Sequence, residues 1–318
     1  MGRYLIRRLI QSIPTFFGVT LIVFALINAV PGGPGAELAL DPTIKPEDLA
    51  RIRTSMGLDK PVPERYFLYL SDLLRGDLGT SLNQRGVRVS AMIGDRLPKT
   101  LLLTGTALLI ALLIAVPLGV FSAVKQYSWF DNISTVLSTA GVAVPSFWLG
   151  IMMILLFSVS LRWFPVGGVQ TLGVDTDVRD IIWHLAMPAT ALAFISIATW
   201  SRYIRASMLE VIRQDFIRTA RSKGLRDRFV IFRHALRNAL IPFVTLLGLS
   251  LPTLVGGALI IERIFSWPGI GRLAFDAASQ RDYPVIMGVV IMSSILVIAG
   301  NLAADITYGF LDPRIKQS

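Results

Sequence analysis

Apolar residues in this chain are not interleaved with polar ones; they run in long blocks. Six blocks contain no Asp, Glu, Lys or Arg: residues 9–30, 100–123, 133–159, 185–201, 239–261 and 284–304. A hydrocarbon core about 30 Å thick is crossed by roughly 20 residues of helix. The pattern therefore predicts an all-α integral membrane protein with six transmembrane helices. The fourth block is short, and residues 181–184 extend it. The first block is longer than the apolar core of a secretion signal, roughly 7–15 residues, and no A-x-A site follows it, so it reads as a retained helix.

The blocks divide the chain. Residues 1–30 are a short tail and the first span, and 31–99 a polar segment. Residues 100–311 are a core of five spans with a long loop at 202–238, and 312–318 a terminal tail. Within 31–99, "KPEDLARIRTSMGL" and "PERYFLYLSDLLRGDLG" carry helical periodicity between Pro and Gly. They predict a compact helical cap rather than a second domain.

Composition agrees with this pattern: 53% of residues are hydrophobic and 16% charged, against about 25% charged in soluble domains. The net charge of +10 admits a nucleic-acid partner until the charges are located. The loop 202–238 holds ten Lys and Arg against three acids, and the amino-terminal tail adds Arg3, Arg7 and Arg8. The loops on the other side are balanced. By the positive-inside rule both termini and 202–238 are cytoplasmic, and 31–99 is external. The charge excess is topology, which removes the argument for nucleic acid. Cysteine is absent, which excludes disulfides, thiolate metal sites and a cysteine nucleophile.

Ten cations keep 202–238 out of the hydrocarbon, yet the loop is patterned as helix. From Asp215 to Lys223 the residues Phe216, Ile217 and Ala220 share one face, while Arg218, Arg221 and Lys223 point elsewhere, with Thr219 and Ser222 between them. Asp215 suits the positive end of a helix, Lys223 the negative end and Gly224 the C-cap. The residues alone fit two occupants of this face: anionic membrane lipids or a partner protein.

"RTARSKGL" followed by "RHALRNALIP" resembles the cytoplasmic loop of ABC-importer permeases of the dipeptide, oligopeptide and nickel branch. The wider permease pattern starts Glu-Ala-Ala and, after three further residues, ends in Gly. Here Arg218, Thr219 and Ala220 fill the first positions and Gly224 the last, so the acidic position is not matched. The likeness runs through "RYLIRRLIQSIPTFFGVTLIVF", "MGLDKPVPERYFLYLSDLLRGDLGTSL", "FPVGG", "HLAMPA", "RYIRASMLEV", "VGGALIIERIFSWPGIGRL", "RDYPVIMG" and "LDPRI", nearly the whole chain.

The resemblance implies a type I, methionine-importer-like permease fold in the bacterial cytoplasmic membrane. It implies a heterodimer with a second homologous permease, two ABC ATPase subunits and an extracytoplasmic solute-binding protein. Asp215 to Gly224 would be the coupling helix that docks on an ATPase, with Phe216, Ile217 and Ala220 as its contact face. The turn at Phe265, Trp267, Pro268 and Gly269 is a candidate external gate or binding-protein contact. ATP and Mg would be used by the partner ATPases, with no cofactor bound by this chain.

Nothing in the sequence supplies the ATPase itself. A phosphate loop needs G-x-x-x-x-G-K-[ST]; "GDRLPKT" at 94–100 lacks the second Gly, and "PGIGRL" at 268–273 is no dinucleotide fingerprint. Both read as turns. His184 and His234 make no metal site, and no nucleophile–base pair suggests an enzyme. Asp305, at the edge of the last block, fits an ion relay or simple packing. Pro145, Pro242, Pro252 and the pair Gly256–Gly257 can kink helices or allow close contacts. The function expected is import of dipeptides or oligopeptides. The alternatives are nickel or glutathione import within the family, or an ATPase-independent secondary transporter.

Overall fold

A computed structural model of the chain describes residues 2–29, 57–84, 86–173 and 177–311, with Glu47 and Thr54. The helices are α1 (Gly2–Ala29), α2 (Val62–Leu74), α3 (Val89–Val124), α4 (Trp129–Ala143), α5 (Ser146–Met153), α6 (Val178–Ile212), α7 (Asp215–Ser222), α8 (Leu236–Ile264), α9 (Ile270–Ser279) and α10 (Tyr283–Leu311). Helix α5 continues as a π-helical stretch, Ile154–Ser160, and α8 is entered through Asp227–Phe229 and a second π-helical stretch, Val230–Ala235. The fold is therefore all-α; among the described residues the only extended pairing is an isolated bridge between Thr80 and Arg88.

Among the described residues, five helices are long and apolar enough to cross a bilayer: Ile6–Ala29, Val89–Val124, Val178–Ile212, Asp227–Gly248 and Tyr283–Ala303. The block at 133–159 is not one straight span. It breaks into Trp129–Ala143 and Ser146–Ser160, bent by 104°. Proline forces the break: the residue before it is pushed out of the helical region, and Val144 is extended at φ −79°, ψ 121°. Helices also outrun their apolar blocks. Helix α3 begins at Val89 and α6 continues to Ile212, so much of what reads as loop at either border is helix. The "GDRLPKT" stretch lies inside α3 and is not a turn.

The chain divides into two units. The larger comprises Met1–Leu5, Pro98–Arg272 and Ala299–Ser318. Its core is lined by small residues of α3 (Ala107, Ala111, Ala115), the middle of α6 (Ala189, Ala193, Trp200, Ile204, Met208) and Ala239, Phe243, Ala258 and Ile261 of α8. Small side chains let these helices approach closely, which is how membrane helices gain packing without a hydrophobic drive. At Gly119 of α3 an added Cβ would stand 2.8 Å from the Ile204 side chain and from the Ser201 carbonyl of α6.

The smaller unit comprises Ile6–Leu97 and Leu273–Ile298. Here α2, from the predicted helical cap, lies on α1. Tyr66 Oη stands 3.0 Å from Thr20 Oγ1, Arg65 donates to Asn28 Oδ1 at 2.7 Å, and Tyr69 stacks on Phe24. The loop after α2 is pinned by buried Asp282, which accepts from Ser81 Oγ and from Leu82 N at 3.2 Å. The "KPEDLARIRTSMGL" stretch falls almost wholly outside the described residues.

Candidate functional site

Helix α6 stops in a tight corner. Arg213 N reaches Glu210 O, Gln214 N reaches Val211 O, and Gln214 turns extended at φ −75°, ψ 152°. From that corner α7 starts with Asp215 in its first turn and ends with Arg221 in its last, the charge order that a helix dipole favours. Its end is closed by Gly224 at φ +76°, whose N–H reaches Arg221 O at 2.9 Å. A side chain there would be strained. The structure thus brings Asp215, Phe216, Ile217, Arg218, Thr219, Ala220, Arg221, Ser222, Lys223 and Gly224 together as one capped helix.

The face the helix presents differs from expectation. Ile217 is 1% exposed and Ala220 is buried, both in the core that holds Met208, Val211, Val230 and Ala235. These two residues anchor α7 on its own chain, and the reading of them as partner-contact surface is corrected. The reason is that an eight-residue helix cannot hold itself on a surface and uses its apolar stripe for attachment. What remains outward is Phe216, 41% exposed, with Asp215, Arg218, Thr219, Arg221, Ser222 and Lys223.

The cations have modest partners. Arg218 stands 3.6 Å from Asp215 with both side chains largely exposed, a pair of little energetic weight. Arg221 Nε donates to Asp227 Oδ1 at 3.0 Å, tying the end of α7 to the next segment. In that segment the Arg233 guanidinium lies 5.5 Å from the centre of the Phe229 ring. Phe229 and Phe232 are exposed alongside. The surface is cationic with aromatic islands.

The turn between α8 and α9 is an internal knot. Phe265 and Trp267 are fully buried and Gly269 is buried. Trp267 Nε1 donates to Lys99 O at 3.0 Å, and Phe265 O accepts from Gly168 N at 2.9 Å. At its centre sits fully buried Glu262, which accepts from Thr100 Oγ1 at 2.7 Å and Arg272 N at 2.9 Å. Thr100 Oγ1 in turn accepts from Ile270 N at 2.8 Å. A Cβ at Gly269 would collide with the Glu262 carboxylate. Phe265 and Trp267 therefore offer no side-chain surface to a binding protein, and that half of the expectation is corrected; Pro268 is half-buried.

Sequence reading missed two buried acids. Glu262 directly follows the apolar block 239–261. Asp131 precedes the block 133–159, is 2% exposed in its side chain and is paired with Arg205. The signal available was position: each acid abuts an apolar block and can be drawn in by one turn of helix. His184 is buried with Nδ1 2.9 Å from Asp180 O, and His234 packs on Phe229. Among the described residues no three His, Cys, Asp or Glu come together as a metal site. The side chains of Pro252, Gly256, Gly257 and Asp305 lie outside the described residues.

Comparison with known proteins agrees with this architecture. Residues 115–317 match the family described as binding-protein-dependent transport system inner membrane component, and residues 1–104 match its N-terminal membrane component. The oligopeptide transport system permease protein AppB of Bacillus subtilis is 45% identical over 316 residues, covering 99% of this chain and 100% of that protein. The dipeptide transport system permease protein DppB of Escherichia coli K12 is 40% identical over 337 residues, covering 99% of each. In fold the chain resembles the inward-facing MetNI methionine ABC transporter, with a TM-score of 0.58 at 18% identity, over 70% of this chain and 97% of that one. The chain belongs to the binding-protein-dependent ABC importer permeases, in their peptide-type branch, and is a multi-pass membrane transport subunit rather than an enzyme.

Proposed function

We propose that this chain is one permease of an ATP-driven importer of dipeptides or oligopeptides and that α7 is the handle by which ATP hydrolysis moves it. The bent pair α4–α5 counts as one span, which makes six, with both termini and α7 in the cytoplasm and residues 31–99 outside. Residues 100–311 form the translocating core and 312–318 a short cytoplasmic tail. A second homologous permease completes the pathway, two ABC ATPase subunits use ATP and Mg, and an extracytoplasmic solute-binding protein delivers cargo. Peptide passes between the two permeases as they alternate access, and the Phe265–Gly269 knot braces the outer gate. The peptide cargo rests on the relatives, among them the di/tripeptide permease DppB of Pseudomonas aeruginosa, 42% identical over 335 residues.

The observation that carries this reading is the build of α7. Ile217 and Ala220 attach it to the core, so a push on it is a push on the bundle. Its free face offers a half-exposed aromatic ring ringed by cations, the composition of an interface with a desolvated anchor and a charged rim. Phe216→Asp and Arg218→Glu test it, because both change only the free face. In the assembled importer each is expected to lower ATPase co-purification and transport at least tenfold, while the isolated permease melts at an unchanged temperature. Retention of ATPase and of transport by both variants would sink the reading.

A further inference from the structure

The tie between Asp131 and Arg205 is more exacting in its geometry than packing requires. Arg205 Nε donates to Asp131 Oδ1 at 2.6 Å and its terminal nitrogen to Oδ2 at 2.7 Å. A fork of this kind fixes orientation as well as distance, whereas apolar side chains of like volume would hold two helices together equally well. The same carboxylate accepts the Tyr127 N–H at 2.9 Å. Tyr127 sits at φ +63° in the turn between α3 and α4, a conformation unfavourable for a bulky residue. One carboxylate therefore sets both the shape of that turn and the position of α6.

Other contacts on the same stretch of α6 strengthen the attachment. Ser138 and Ser201 hydroxyls meet at 3.1 Å. A Cβ at Gly141 would lie 3.1 Å from the Ala198 Cβ, and one at Gly119 would lie 2.8 Å from Ile204. These ties span residues 198–205 of α6 and join it to α3 and to α4. From Arg205 the helix runs only to Ile212 before the corner into α7, about 10 Å at 1.5 Å per residue.

We infer that Asp131 and Arg205 are a positioning pair that makes the α3–α4 turn, α4 and α6 move as one body with α7, so that displacement of α7 reaches the bundle without slack. The inference rests on reading α7 as the handle. They act through the helices they fix.

Because the chain has no native cysteine, spin labels at Lys125→Cys and Ser222→Cys, both exposed, report the separation of the turn and α7 by pulsed electron resonance. The wild-type pair is expected to give one narrow distance in the isolated permease. Arg205→Gln and Asp131→Asn should broaden it. In the full importer they should cut transport per ATP about tenfold while ATP hydrolysis per assembled complex stays within about twofold. Arg205→Lys, which keeps the charge but not the fork, should fall between and guards against a variant that fails to fold. A distance that stays narrow in Arg205→Gln and Arg205→Lys, or transport lost only in proportion to complex lost, overturns the pair whatever docks on α7. A clamp that broadens as expected beside free-face variants that still bind ATPase sinks the handle instead.

Discussion

A hydrogen atom in place of a methyl decides how close α3 and α6 can come. At Gly119 an alanine methyl would meet Ile204 and the Ser201 carbonyl at 2.8 Å, and backbone cannot step aside as a flexible side chain can. Gly119→Ala is therefore expected to destabilise by about 1–3 kcal/mol, read as a lower melting temperature of the detergent-purified protein. At Gly105, also in α3, nothing lies within 4 Å, so Gly105→Ala serves as the control and should not destabilise. Glu262 is the second residue on which much turns. Glu262→Ala would strip the acceptor from Thr100 Oγ1 and from Arg272 N inside a fully buried knot. Each orphaned donor costs about 1–3 kcal/mol. The expected outcome is poor accumulation of folded protein, partly relieved in Glu262→Gln, which keeps an amide oxygen; equal melting of wild type and both variants would contradict the knot.

Elements in this protein end where local chemistry makes them end. Gly224 closes α7 in the left-handed region, with open space where a Cβ would go, so the cost of Gly224→Ala is conformational alone, about 1–2 kcal/mol. Gly224→Asn should cost less, because Asn tolerates that region. Circular dichroism cannot isolate so short a helix, but amide exchange at Ser222 and Lys223 can, and should quicken in Gly224→Ala before any other segment changes. This cap was legible in the sequence, since Asp at one end and Gly at the other bracket the cationic run. Which way the helix faces was not. Phe216, Ile217 and Ala220 share a stripe by periodicity, and periodicity states only that a stripe is apolar. Whether it meets its own core or a partner depended on Val230 and Ala235, brought opposite by the following segment.

Across the whole molecule the number of crossings turns on the bent pair. Tyr127 precedes α4 and is 79% exposed; Leu172 follows the π-helical stretch after α5 and is 94% exposed. If α4 and α5 make one broken span, single cysteines at these positions will be labelled from opposite sides of the membrane. A re-entrant pair would put both on one side. The proposed function expects Tyr127→Cys to react from the cytoplasmic face with Ser222→Cys, and Leu172→Cys to react from outside. Labelling of all three from a single face would remove the sixth span and the orientation with it.

The sequence by itself determined the solvent, the secondary structure class and the lineage. Charge-free blocks of about 20 residues leave helix as the state that satisfies its own backbone in lipid, and ordered motifs over the whole length mark the family. Tertiary structure decided what the charges are for. Asp131 and Glu262 stand at the rims of apolar blocks, where sequence cannot distinguish a solvated acid from one drawn inside. Only the approach of Arg205, and of Thr100 with Arg272 N, gave the buried carboxylates partners and made their burial tolerable. Pairings between residues 74 and 162 positions apart are set by how helices pack, and no local pattern along the chain encodes them.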